Sequence, residues 1–237
     1  MDTTRPLHLL CAGAAQGLVE ALRDAFAADT GITVQGRFGA VGAMKEALLA
    51  GARCDAMIVT DAMVAQLAAD GLLRAGSRTP LGRVRTGIAV RSGDARCDVS
   101  SPETLKAALL AADAIYFPDP ERATAGIHFA AVLRQLGIHD ELRMRFRTFP
   151  NGATAMREMA ASTDTRPIGC TQVSEIVYID GVELVAALPR RFELATVYSA
   201  AVATAAADPE GAARLIALLA GPGAQALRAA SGFEAVA

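Results

Sequence analysis

The chain has 237 residues, 52% of them hydrophobic and 20% charged, with 23 Lys and Arg against 25 Asp and Glu for a formal net charge of -2. That length suits one large domain or two small ones with ample apolar material for a core. The near-neutral balance excludes general electrostatic capture of nucleic acid or of an acidic membrane surface.

The first six residues lead into an apolar run over 7–11 without the basic region and long apolar segment of a signal peptide or membrane span. The expected location is therefore periplasmic if a leader has been removed, and otherwise cytoplasmic. The run ends in Ala12-Gly13-Ala14-Ala15-Gln16-Gly17 and gives way to a helical pattern over 17–28. A strand over 32–35 is followed by Arg37-Phe38-Gly39-Ala40-Val41-Gly42, a glycine-bracketed turn into a helix over 43–50 with Lys45 in its first turn. Helix N-termini present unpaired backbone N–H groups and bind anions, so these two strand-to-helix turns suggest a ligand cleft. Lys45 reads either as a ligand contact or as a solvated helix residue; with Lys106 it supplies all the lysine in a chain whose basic charge is otherwise arginine.

Further strands are predicted over 56–59, 86–90, 114–117, 145–149, 168–170 and 182–186, and helices over 63–69, 102–111, 126–136 and 153–160. Helices over 208–220 and 223–230, split by Gly221-Pro222, close the chain. Regular alternation predicts an α/β fold with mostly parallel sheets, helices on both faces and ligands at the carboxyl ends of strands. In the second half, Pro118-Asp119-Pro120-Glu121-Arg122-Ala123-Thr124-Ala125-Gly126 repeats the opening motif. Its prolines fix a loop, and Thr124 can cap a helix that carries His128. Asn151-Gly152-Ala153-Thr154 begins another helix.

Cys11, Cys54, Cys97 and Cys170 are widely spaced, with no CxxC or histidine pairing. Buried free thiols are the plain reading, a disulfide or a nucleophilic Cys170 at a strand end the less ordinary ones. No nucleophile elbow, P-loop, dinucleotide fingerprint or zinc spacing is present, so neither a cofactor nor a metal is expected. There is also no basic stripe or aromatic platform for nucleic acid.

The order of these elements, with Cys11-Ala12-Gly13-Ala14-Ala15, Phe38-Gly39-Ala40-Val41-Gly42-Ala43-Met44 and the segments 49–59, 65–73, 118–126, 169–176 and 192–201, resembles the substrate-binding proteins of molybdate importers. These belong to the two-lobed, type II periplasmic binding proteins. The resemblance implies one α/β lobe from residues 1–84 plus 196–237, a second from 85–195, and crossing segments near 83–87 and 193–198. It also implies an interlobe cleft that closes by hinge motion, an ABC importer as possible partner, and a monomer or weak dimer.

By the same resemblance the ligand contacts fall on Gly13, Ala14, Ala15, Gly39, Ala40, Val41, Lys45, Thr124, Ala125, Asn151, Gly152, Thr171 and Gln172. The family's two oxyanion-binding serines fall on Ala14 and on Ala40 or Val41, and its cleft tyrosine on Gln172. Losing these hydroxyls makes molybdate or tungstate a poor expectation. A small organic anion, a di- or tricarboxylate, fits the enlarged turns and the donors that remain, with Arg37 and Arg122 as adjacent candidates for a second charge contact or as surface residues. The alternative is an isomerase: the same fold hosts aconitate isomerase, and such chemistry would use His128 as proton carrier with Lys45 beside it. Glu175, where the family carries an acidic residue, reads as structural.

Overall fold

The structure is a computed structural model in which residues 5–236 are described. Two compact units emerge, one built from both chain ends, up to Arg83 and from Thr196 onward, the other from Val84–Ala195. In chain order, β1 (Leu7–Ala12) passes through a short 3-10 turn, Gly13–Ala15, into α1 (Gln16–Thr30); then come β2 (Val34–Gly39), α2 (Val41–Leu49), β3 (Ala56–Thr60) and α3 (Asp61–Ala69). The long β4 (Thr79–Arg91) carries the chain into the second unit. That unit holds α4 (Pro102–Ala111), β5 (Ala114–Pro118), α5 (Thr124–Gln135), α6 (His139–Leu142), β6 (Phe146–Phe149), α7 (Gly152–Ala161), β7 (Pro167–Gln172), α8 (Val173–Tyr178) and β8 (Val182–Ala187). The chain returns along β9 (Ala195–Val202) and ends in α9 (Pro209–Ala220) and α10 (Gln225–Ala230).

In the first unit β1 is the central strand, parallel to β2 on one side and to β3 on the other, and β9 runs antiparallel to β3. Asp55, 3% exposed, ties this sheet to the approach to α9: its carboxylate accepts from the N–H groups of His8 at 2.8 Å, Ala207 at 2.7 Å and Asp208 at 3.1 Å. The strand expected over 32–35 is displaced. β2 pairs with β1 along its whole length, from Leu7↔Val34 to Ala12↔Gly39, so Arg37, Phe38 and Gly39 are strand, not turn. A six-residue ladder outweighs the poor strand propensity of its two glycines. Only Ala40 separates strand from helix, and α2 therefore starts at Val41 with Lys45 in its second turn.

In the second unit β5 lies between β6 and β7, parallel to both, and β4 is antiparallel to β7 and β8. Strand alternation divides the apolar side chains between two faces. Ile115 and Phe117 join Ile88, Ile168, Phe129 and Leu133 on one face, while Ala114 and Tyr116 join Ala89, Met156, Met159 and Ile176 on the other. This is why both faces carry helices. Gly126, the third residue of α5, is required by close packing: an added Cβ would lie 2.3 Å from the Pro118 carbonyl oxygen and 2.2 Å from that of Asp119.

Candidate functional site

The described helices differ in how their N-termini are satisfied. Thr60 caps α3, Ser101 caps α4, Asn151 caps α7 and Asp208 caps α9, each through a side-chain oxygen that accepts a first-turn N–H. The N-cap residues of α1, α2 and α5 are Ala15, Ala40 and Ala123, and no side chain caps them; α1 continues the 3-10 turn, so its Gln16 N–H already donates to the Gly13 carbonyl, and the start without a side-chain cap there is that of the turn, after Ala12. An alanine in place of a capping residue costs about 1 kcal/mol, and it leaves the first-turn donors to water or to a ligand.

In the first unit, Gly13, Ala14 and Ala15 form a buried turn at the carboxyl end of β1, and its counterpart at the end of β2 is the buried junction of Gly39, the last strand residue, Ala40, and Val41, the first of α2. Small residues at both places let a ligand approach the backbone. Lys45 lies one turn beyond Val41, half-buried, its ammonium without a hydrogen bond or ion pair to any described residue. Because side chains on a helix lean toward its N-terminus, the ammonium can reach over the uncapped turn. The third strand end of this unit is closed: Asp61 accepts from Arg78 Nε at 2.7 Å and from Ser199 Oγ at 2.6 Å. The hydrogen bond from Arg78 holds its carboxyl below the usual range.

In the second unit, Thr124 is the first residue of α5 and not its cap; Ala123 takes that place, and Asp119 Oδ1 accepts from the Glu121 N–H at 2.8 Å and the Arg122 N–H at 3.2 Å. Capping by Thr124 fails because the loop turns one residue earlier on the Asp119 carboxylate. Ala125 is buried beside it. His128 is half-buried, with Nε2 at 2.7 Å from the carbonyl oxygen of Phe192. A carbonyl only accepts, so Nε2–H is the donor of this bond and Nδ1 is the ring nitrogen left outside it. His128→Ala is expected to lower stability by about 1 kcal/mol through loss of this tie. An unchanged melting curve would show that the bond holds nothing.

The α7 N-terminus is already filled. Glu175, 5% exposed, accepts from Thr171 Oγ1 at 2.5 Å, and the N–H groups of Ala153, Gly152 and Gln172 also point at its carboxylate. Burial nevertheless outweighs these donors and raises its pKa above the ordinary carboxylate value. Asn151 Oδ1 is engaged with the Thr154 N–H at 2.8 Å. The turn before α7 thus differs from those before α2 and α5: the carboxylate of Glu175 lies against Gly152 and is hydrogen-bonded to Thr171.

Gln172 is different, 2% exposed with neither amide atom paired. Thr86, which nothing in the sequence singled out, is its partner across the ladder and carries an unpaired, buried hydroxyl. Only strand register reveals that pairing. Arg37 and Arg122 are exposed. Cys11, Cys54 and Cys170 are buried free thiols and Cys97 is half-buried; burial pushes Cys54 up to about 12 and raises Cys170 well above the ordinary thiol value, which argues against Cys170 as a nucleophile. No group of three or more metal-ligating side chains occurs among the described residues.

Sheets flanked by helices on both faces, a discontinuous first unit and paired strand-to-helix turns define the class: a type II periplasmic-binding-protein fold. The chain belongs to the bacterial extracellular solute-binding protein family, whose pattern matches residues 7–234. It is similar to an aconitate isomerase from a Pseudomonas species, 25% identical over 167 residues, which are 70% of this chain and 62% of that protein; the match spans less than two thirds of the relative's length. The periplasmic molybdate-binding protein of Azotobacter vinelandii superposes with a TM-score of 0.81 at 20% identity, over 98% of this chain and all (100%) of that one. PEB3 of Campylobacter jejuni, solved with bound L-phospholactate, gives 0.68 at 14% identity over 97% and 100% of the two chains. At such identities these two structures establish the fold alone.

Proposed function

We propose that this solute-binding protein takes up a small organic anion, a di- or tricarboxylate, and delivers it to an ABC importer from the periplasm. The observation that carries this reading is the set of alanine N-caps on α1, α2 and α5, with Lys45 beside the second. Uncapped N–H groups favour an anion. The alanines at Ala14 and Ala40 remove hydroxyls that a compact oxyanion would need. The L-phospholactate bound by PEB3 is an organic anion of similar size, which supports the same class. No helix among the described residues is long and apolar enough to cross a membrane.

The likeness to aconitate isomerase favours a second reading, in which the same site shifts the double bond of an unsaturated tricarboxylate. His128 would then work through Nδ1, since Nε2–H is held by Phe192.

One experiment separates the two. Proton NMR of the protein with trans-aconitate in deuterated buffer is read alongside thermal shifts with citrate, trans-aconitate, molybdate and sulfate. Stabilisation by a carboxylate without conversion is the expected result. Appearance of cis-aconitate with deuterium uptake would establish the isomerase, and stabilisation by molybdate or sulfate alone would overturn both readings.

A further inference from the structure

Thr86 of β4 stands directly opposite Gln172 of β7 in the antiparallel register. Opposed residues of such a pair project from one face of the sheet with their Cβ atoms about 5 Å apart. Ser174, two residues beyond Gln172, lies in the first turn of α8. Thr86, Gln172 and Ser174 are 1%, 2% and 4% exposed. Thr86 Oγ1, Gln172 Oε1, Gln172 Nε2 and Ser174 Oγ all lack a hydrogen-bond partner in the protein.

Buried polar atoms are almost always paired, so a group of them left open marks a place where something else binds. The segment is not loosely built in general, because the alternating neighbours Thr171 and Glu175 satisfy each other. The chemistry of the open atoms defines their partner. Oε1 only accepts, Nε2 only donates, and the two hydroxyls do either. A tetrahedral oxyanion or a bare carboxylate carries acceptors alone and would leave Oε1 facing another oxygen. An alcohol group donates to Oε1 and accepts from Nε2.

We propose that Gln172, with Thr86 and Ser174, forms a subsite for a hydroxyl group, so that the preferred ligand is a hydroxycarboxylate. This rests on the organic-anion reading and narrows it. Enclosure matters here, since a desolvated site built to pair a hydroxyl rejects the analogue that lacks it far more strongly than an open one does.

The test is calorimetric titration of the full chain at neutral pH with two matched pairs, malate against succinate and citrate against tricarballylate, each pair differing by one hydroxyl, with molybdate and sulfate alongside. The hydroxylated member of at least one pair should bind about tenfold tighter or more. Gln172→Met and, independently, Thr86→Val should bring that preference to within about twofold, the hydroxylated member losing more affinity than its partner. Equal binding within both pairs by the unaltered protein would refute the hydroxyl subsite and leave the carboxylate reading standing. Variants that weaken both members equally would assign the open atoms to a structural water only and overturn the proposal. If no carboxylate binds, the organic-anion reading itself fails.

Discussion

Gly152→Ala is expected to lower the melting temperature by about 6 to 12 °C, corresponding to about 3 kcal/mol for a chain of this size. An added Cβ would lie 1.9 Å from Thr171 Oγ1 and 2.1 Å from Glu175 Oε2, two atoms already 2.5 Å from each other and closed in by the sheet and α8. The methyl group can enter only by pushing the carboxylate off the α7 N-terminus. The penalty is that of overpacking together with displacement of a buried carboxylate from its hydrogen bond with Thr171, about 3 kcal/mol in all. Glu175 also gives stability a pH dependence of defined sign. Its folded pKa is raised, chiefly by burial, so between the ordinary value of 4.5 and the folded value the native state holds the proton that the unfolded chain has released. Glu175 therefore stabilises fully below 4.5, and that contribution is lost as pH rises toward the folded pKa. Chemical denaturation from pH 4 upward should show this decline in the unaltered protein and a flatter profile in Glu175→Gln. A Gly152→Ala protein that melts with the parent, or parallel pH profiles, would mean that the carboxylate does not occupy this seat.

Much of the architecture could be read from residue order because the central strands are buried on both faces and appear as uninterrupted apolar runs, as in Leu9-Leu10-Cys11 and Ile115-Tyr116-Phe117. Edge strands lack that signal. β2 exposes Gln35, Gly36 and Arg37, so only its pairing with β1 shows that it is a strand, and the turn expected there moved by several residues. The first half of β4 contains Pro80, Gly82 and alternating arginines, and it too was missed. The site was legible to the extent that strand-to-helix turns mark anion-binding positions. What could not be read was how those turns are filled: Glu175 lies 23 residues beyond the α7 terminus it satisfies, and Thr86 is separated from Gln172 by most of the second unit. An alanine N-cap is equally invisible until the helix start is known, since alanine is common throughout this chain.

Lys45→Ala is expected to weaken carboxylate binding by about 10- to 150-fold, the equivalent of about 1.5 to 3 kcal/mol for a charge-assisted hydrogen bond, while leaving the melting temperature of the unliganded protein unchanged. The second half of that statement follows from the structure. The ammonium pairs with no described residue, so removing it orphans no buried group, and alanine is at least as good a helix former at an exposed or half-exposed position. The first half follows from its place above an N-terminus whose own cap, Ala40, offers no acceptor. An anion seated there would meet backbone N–H groups and an ammonium together, and its binding should weaken as salt is added. Titration of the parent and Lys45→Ala across a range of ionic strength separates the two contributions: the variant should bind more weakly and respond less to salt. Equal affinity at every salt concentration would remove Lys45 from the site and leave α2 to act through its backbone alone. Weaker binding with an undiminished salt response would place the charge that attracts the ligand elsewhere, with the exposed Arg37 on the preceding strand as the residue to substitute next.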